Sequence, residues 1–508
     1  MLSFEVSRAK RPFQNQEIRL LFARTSDLAK LKKLPGVPEV FRERLAKKLD
    51  EAEKTLAKPL HDKARAGVMG FDFATTEGGR FGVRLVDEAF PLQEIHGALR
   101  KSCASFVAQS ADFARVLDLE TLPAGLADGV LRALVMLSHY EAYKAPRFGK
   151  GAVKTDATKP APPSTIAVLS RLSPSQVKDA YYEARLLGEA STLVRELADL
   201  PGNELTPTIY RKKLEAYAKN EKFEFKFLDT KKLAQMGANA FLAVARADLD
   251  GGAGLAHLSH VPKKKPKKKL VLVGKGLCFD TGGYNIKVGS GMFGMQRDMT
   301  GSAVALASFR LLRELHPDFE IHALLGIAEN LISPTAFRAN DVVTAMNGTS
   351  IEVVDTDAEG RMVLADVLAY AAELKADLCL DYATLTGAAV RALGTRRGAI
   401  FTNREKLQNV AMQAGEAVGQ PVWGFPLSVS YRKDLASDYA DILQCSHGSH
   451  CDHIYAAHFL AEFMGTETPW IHLDLTASNH KGGLGLAGTD TTGYGVHWTL
   501  EVVRRILG

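Results

Sequence analysis

The 508-residue sequence predicts an α/β protein: an N-terminal α/β accessory domain, then a C-terminal domain with a largely parallel central sheet flanked by helices. Three observations carry that expectation. Beyond roughly residue 200, short apolar runs alternate with stretches of helical periodicity, the pattern of parallel strands joined through helices. The run Thr158-Lys159-Pro160-Ala161-Pro162-Pro163-Ser164 separates two regions of different character, because clustered prolines deny both helix and sheet pairing. Conspicuous polar residues gather after apolar runs, where ligands collect in sheets of this kind. The expected boundary lies at the prolines, with residues 1–165 in the accessory domain and residues 166–508 in the larger one.

Each element has its own signal. Glu39 to Ala57 reads as a helix, with Pro38 just before it and Val40, Phe41, Leu45 and Leu49 at helical spacing. Phe81 to Val86 alternates as a strand, and Leu131 to Tyr143 reads as a second helix. Ser173-Pro174-Ser175 caps a long connecting helix that runs to Leu200 and stops at Pro201-Gly202-Asn203. Phe241 to Val244, Leu270 to Gly274, Ile321 to Leu325, Ile351 to Val354, Leu378 to Tyr382 and Trp470 to Asp474 read as strands. Ser302 to Leu315 and Met362 to Leu374 read as helices. Leu270 to Gly274 is apolar without alternation, so it is expected to be buried on both faces.

Composition excludes several function classes. Hydrophobic residues make up 46% and charged residues 24%, the balance of an ordinary globular chain. Five cysteines in this length do not make a disulfide framework, which suits a reducing compartment. There is no signal-peptide pattern at Met1 to Val6, and no apolar run approaches the ~20 residues that span a bilayer. A cytoplasmic protein with no membrane partner is expected. The net charge of +6 is matched by Lys263, Lys264, Lys265, Lys267, Lys268 and Lys269 alone, so the rest of the chain is neutral. That run is read as a solvated loop, with contact to nucleic acid the lesser alternative.

The chemistry concentrates in three places. Gly274-Lys275-Gly276-Leu277-Cys278-Phe279-Asp280-Thr281-Gly282-Gly283 follows an apolar run, with Lys287 shortly after; Arg297-Asp298-Met299-Thr300-Gly301 precedes a helix. The third is Asp355-Thr356-Asp357-Ala358-Glu359-Gly360-Arg361, where three acids within five residues repel one another unless a cation holds them. Two divalent cations about 3.5–4 Å apart need bridging carboxylates, and a lysine amine coordinates a metal only when neutral. Four or five acids with two lysines and an arginine fit a dinuclear centre better than a lone calcium site. An EF-hand loop from Asp355 would place Asp366 where a bidentate Glu belongs and would follow a strand rather than a helix. A phosphate loop lacks its Gly-Lys-Ser/Thr.

These residues carry a resemblance. Val273 to Lys287, with Met295-Gln296-Arg297-Asp298-Met299, resembles the first metal motif of the cytosolic leucine aminopeptidase family. Thr356 to Arg361 is similar to that family's signature, and Asp381-Tyr382-Ala383-Thr384-Leu385-Thr386-Gly387-Ala388 to its following strand and turn. The resemblance implies a homohexameric metallo-exopeptidase that hydrolyses the N-terminal, leucine-like or apolar residue from peptides with a free amine. Lys275, Asp280, Asp298 and Glu359 would hold one divalent metal, and Asp280, Asp357 and Glu359 the second; zinc, manganese or magnesium is implied. Lys287 would polarise the scissile carbonyl or steady the oxyanion, and Arg361 would hold a bicarbonate acting as general base. Met295, Thr384, Gly387 and Thr476 match the family's side-chain pocket.

Three departures from the family pattern stand out. Asp355 replaces the usual Asn, and Thr476 a smaller residue. Cys445-Ser446-His447-Gly448-Ser449-His450-Cys451-Asp452-His453 replaces a glycine-rich turn, and is open to three readings: a third metal site, a substrate-shaping loop, or no role. Two other functional classes stay open: a catalytically silent protein binding nucleic acid through the lysine loop, and a metallohydrolase of non-peptide substrates.

Overall fold

The computed structural model describes residues 2–6, 17–27, 39–56, 68–74, 80–108, 114–149, 164–248, 250–448 and 450–508. They divide into two compact units, one comprising Met1–Glu189 with Gly482–Asp490, the other Ala190–Lys481 with Thr491–Gly508. The helix Pro174–Ala198 contributes to both. Thr158 to Pro163 of the proline-rich run lie outside the described residues.

The first unit holds a six-stranded sheet built from β1 (Leu2–Val6), β2 (Glu17–Arg24), β3 (Val68–Ala74), β4 (Arg80–Val86), β5 (Ala114–Asp118) and β6 (Ser164–Leu169), in the order β1-β6-β5-β2-β4-β3. Every pairing is parallel except the β3–β4 edge. Helix Glu39–Leu56 sets Leu45, Leu49 and Ala52 against Leu21, Ala23, Val83 and Leu85, as its spacing predicts. Helices Leu92–Ala108 and Ala124–Ala142 complete the α/β layering.

In the second unit the strands are β7 (Glu224–Asp229), β8 (Gly254–His260), β9 (Lys269–Asp280), β10 (Glu320–Asn330), β11 (Val342–Thr344), β12 (Ser350–Glu352), β13 (Leu378–Ala383), β14 (Gly398–Thr402), β15 (Val422–Gly424), β16 (Ile442–Leu443) and β17 (Trp470–Asp474). Eight form the central sheet, in the order β15-β14-β17-β13-β9-β10-β8-β7. Its middle, β17-β13-β9-β10, is parallel throughout, with Leu270 opposite Ile321 on one side and Leu378 on the other. Antiparallel pairings appear toward the edges.

Burial on both faces explains why β9 reads as one apolar run. Val271 and Val273 join the core packed by Val363, Leu364, Val367 and Leu368 of helix Glu359–Glu373. The alternate residues face helix Thr300–Leu315, whose backbone comes against Gly274 at Ser302.

Two expectations are corrected. Phe241 to Val244 is not a strand but the heart of helix Asn239–Ala245; a four-residue apolar run has no periodicity to separate the two states. Ile351 and Glu352 belong to a small side sheet, β11-β12-β16, rather than to the central one. Asp366 lies inside helix Glu359–Glu373, where its oxygens accept Phe241 N (2.8 Å) and Met346 N (2.7 Å). That use rules out its reading as a calcium-loop ligand.

Candidate metal centre

The C-terminal end of β9 supplies Lys275 and Asp280, five residues apart, which strict alternation would send to opposite faces. The pairing with β10 shows how they meet. Leu277 pairs with Ala328 and Asp280 with Asn330, so three steps on β9 match two on β10. This one-residue bulge returns Asp280 to the side that Lys275 faces. The chain then turns through Gly282 (φ +86°), whose N–H donates to Asp280 Oδ1 at 2.9 Å. A Cβ on Gly282 would lie 2.5 Å from Asn285 O and 3.0 Å from Asp357 Oδ1, so only glycine fits without disturbing the cluster.

Asp357 and Glu359 come from the start of helix Glu359–Glu373, where the helix N-terminus favours negative side chains. Asp298 precedes helix Thr300–Leu315. Together the three segments converge. Lys275 Nζ lies 2.8 Å from Asp298 Oδ2 and 2.9 Å from Glu359 Oε1, and donates to Thr384 O at 3.1 Å. Lys287 Nζ lies 2.8 Å from Asp280 Oδ2 and 2.5 Å from Asp357 Oδ1. Gly360 is required for the first contact: a Cβ there would meet Lys275 Nζ at 2.5 Å.

Buried supports hold this arrangement. Asn330 Nδ2 donates to Asp280 Oδ1 (2.8 Å) and to Thr356 O (3.0 Å). Gln444 Oε1 accepts from Val354 N and Asp355 N, and its Nε2 donates to Ala358 O, all at 3.0 Å, pinning the acidic loop along its length. Asp355 turns its Oδ1 to Asp357 N at 2.8 Å and so shapes the loop. Asp474 accepts from Leu385 N, Thr386 N and Thr386 Oγ1, fixing the turn from which Thr384 Oγ1 donates to Asp298 Oδ1 at 2.7 Å.

The electrostatics fit added positive charge. Four carboxylates (Asp280, Asp298, Asp357 and Glu359) face two ammonium groups, leaving two formal negative charges uncompensated. Oxygens of Asp280, Asp357 and Glu359 all lie within 4.8 Å of one another. Burial pushes the Glu359 carboxyl up to about 8, with Asp280 adding to the shift and Lys275 opposing it. Burial likewise raises Asp298 to about 6 against the pull of Lys275. Burial works against the Lys275 ammonium, but Asp298 and Glu359 outweigh it and raise its proton affinity. Glu359 Oε2 is buried without a hydrogen-bond partner. An orphaned carboxylate oxygen in an over-acidic cluster is the donor set a hard divalent cation takes.

Among the pocket residues, Thr384 touches the cluster through Asp298, while the Thr476 hydroxyl donates to Arg397 O. Met295 is half-buried at the start of the 3-10 turn Met295–Arg297, and Gly387 opens helix Gly387–Leu393. Arg361 is buried; its NH2 donates to Asp452 Oδ1 (2.9 Å) and Oδ2 (2.8 Å), and its NH1 to Gln444 O (3.3 Å).

The Cys445–His453 stretch does not gather a second metal centre. Cys445 and His453 are buried, the latter edge-on to Phe425 at 4.5 Å, whereas His447, His450 and Cys451 are exposed. Among the described residues, the only metal-competent group of three or more His, Cys, Asp and Glu side chains is Asp280–Asp357–Glu359. In the lysine run, Lys267 pairs with Asp318 and Lys269 with Glu320, and Lys263, Lys264 and Lys265 are exposed.

The fold and site together define an α/β domain with a carboxylate–lysine centre at the C-terminal end of its parallel strands. The chain belongs to the cytosol aminopeptidase family: residues 192–500 match the model of that family's catalytic domain. A probable cytosol aminopeptidase of Aquifex aeolicus is 38% identical over 324 residues, 63% of this chain and 65% of the relative. The chain thus aligns with less than two thirds of that relative's length. Two solved structures match more fully. The bottromycin maturation enzyme BotP, in complex with Mn, has a TM-score of 0.76 at 28% identity, covering 97% of this chain and 100% of that one. A tomato leucine aminopeptidase mutant has a TM-score of 0.80 at 26% identity, covering 99% of this chain and 97% of that one.

Proposed function

We propose that the chain is a metal-dependent aminopeptidase of the leucyl type, removing the N-terminal residue, leucine-like or apolar by preference, from peptides with a free α-amine. One observation carries the reading: the convergence of Lys275, Asp280, Lys287, Asp298, Asp357 and Glu359 into one buried, over-acidic cluster. Lys275, Asp280, Asp298 and Glu359 would hold one divalent ion and Asp280, Asp357 and Glu359 the other, with zinc or manganese favoured over magnesium. Bound there, the ions supply Lewis acidity and an acidified water as nucleophile.

The chain's own groups do the rest. Lys287 brings an ammonium to the mouth of the cluster, where it stabilises negative charge developing on the scissile carbonyl oxygen. Lys275 would have to give up its Nζ proton to serve as a ligand. Arg361 holds the anion that accepts the water's proton, the part a bicarbonate would play. Met295, Thr384, Gly387 and Thr476 would shape the side-chain pocket. We take the chain to work as a homohexamer in the cytoplasm; the name of its relatives, cytosol aminopeptidase, supports the location, and no helix among the described residues is long and apolar enough to cross a membrane.

The test compares leucinamide with N-acetyl-leucinamide, using protein reconstituted with Mn²⁺ or Zn²⁺. Release of ammonia from the free amine only, abolished by a chelator, is expected. Equal cleavage of both amides, or cleavage that survives chelation, contradicts the reading.

A further inference from the structure

Arg361 sits on the first turn of helix Glu359–Glu373, two residues from Glu359, with 2% of its surface exposed. A guanidinium so buried needs an anion beside it, because an unpaired charge in the interior is far costlier than a paired one. The protein supplies that anion itself. Both oxygens of Asp452 accept from the single NH2 nitrogen, at 2.9 and 2.8 Å, rather than from the two-nitrogen fork that usually engages a carboxylate. Arg361 NH1 is used on Gln444 O, and Nε is buried with no hydrogen-bond partner. The Asp452 side chain keeps 26% of its surface open, and each of its oxygens accepts one bond from Arg361, which leaves lone pairs unused.

Asp452 is placed there by the chain. It is the first residue of helix Asp452–Met464, whose N-terminus favours a negative side chain. Cys451, in the left-handed region at φ 57°, turns the irregular segment before it into that helix. The charges of Asp452 and Glu359 both act on Arg361, which ties the helix end to the carboxylate cluster.

We propose that Asp452 is the resident anion of Arg361 and serves as the base of the hydrolysis, so that turnover needs no dissolved carbonate or carboxylate. This rests on the aminopeptidase reading. As the water oxygen bonds to the carbonyl carbon, its proton passes to an Asp452 oxygen. When the carbon–nitrogen bond breaks, that proton goes to the departing amine. The carboxylate is regenerated, and one water is consumed per bond cleaved. Arg361 orients the carboxylate and keeps small anions from the solvent out of its place.

The test has two arms. In the first, leucinamide hydrolysis by the Mn²⁺-loaded native protein is measured in carbonate-free buffer and with added bicarbonate; the rate is expected to be the same in both. Asp452→Ala is expected to lower kcat by ~10²- to 10⁴-fold, the range of a general base, with KM little changed. Bicarbonate or formate is expected to restore much of that loss in Asp452→Ala, which has room for an anion, but not in Asp452→Asn, which has none. The second arm uses metal-free protein and reads melting temperature: bicarbonate raises it for Asp452→Ala and leaves the native value unchanged. A native rate that climbs with bicarbonate overturns the proposal, as does native kcat in Asp452→Asn or equal stabilisation of native and Asp452→Ala. If native protein cleaves no amide with any metal, the aminopeptidase reading fails. The melting arm still decides whether Asp452 fills the anion site.

Discussion

Glu359→Gln is expected to lower turnover by at least the ~10²- to 10³-fold that follows loss of one charge-stabilising group, because it removes the carboxylate assigned to both metals. Metal affinity should fall by more than the about 10- to 100-fold that loss of an outer-shell partner costs. The metal-free fold should barely notice. With its carboxyl raised to about 8 by burial and by Asp280, Glu359 is mostly protonated at neutral pH, and Gln is its near-isostere. Melting temperatures of the two metal-free proteins should therefore agree while metal content and kcat diverge. The same shift sets a pH dependence. In the metal-free protein, the stability that protonated Glu359 contributes is fully present below its ordinary value of 4.5 and is lost as pH rises toward about 8. Metal binding must expel that proton as well as the one on Lys275, so native affinity should climb with pH through that value and go on climbing, less steeply, while Lys275 remains protonated. Calorimetry in buffers of differing ionisation enthalpy should register proton release in the native protein and less in Glu359→Gln. Undiminished metal content in the variant would show that the ligand assignment is wrong.

Asp381→Asn is expected to destabilise the fold by ~3–5 kcal/mol at pH 6, the cost of breaking a buried ion pair from one side. Asp381 is fully buried on β13, accepting His472 Nδ1 and Trp470 Nε1, both at 2.6 Å, from the adjacent β17. Burial disfavours the His472 cation, but Asp381 outweighs it and raises the His472 pKa. The sign follows. A raised histidine contributes stability that is complete below its unfolded value, near ~6.5, and is lost as pH rises through the folded value. The gap between native and Asp381→Asn in urea unfolding should therefore be widest on the acid side and narrow as pH rises. A gap that widens with pH would remove His472 protonation from the account. Because β17 pairs with β13 and ends in Asp474, which fixes the Thr384 turn, the variant should also loosen Asp298.

Much of this architecture was legible because its signals are local. The alternation of apolar runs and helical periods locates β9, β10, β13, β17 and the two helices packed on them, and the acids and lysines stand in three short segments near the ends of those runs. What escaped depends on contacts far apart in sequence or on single-residue geometry. The bulge that brings Asp280 to the side of Lys275 is a matter of register with β10, which no pattern within β9 announces. Asn330 and Gln444 reach Asp280 and the acidic loop across 50 and about 90 residues, and a lone amide in an apolar run carries no mark of its partner. Phe241 to Val244 was too short to tell helix from strand, and its helical form depends on Asp366, 125 residues away. Asp452 stood within a conspicuous stretch, yet the eye goes to cysteines and histidines there. The structure gives weight instead to the one carboxylate among them.

The central claim is that Lys275, Asp280, Asp298, Asp357 and Glu359 form a dinuclear site, and counting metals tests it most directly. Native protein saturated with Mn²⁺, stripped of free ion by gel filtration and analysed by mass spectrometry for metal per chain, is predicted to carry two. A single ion, or none, would contradict the account.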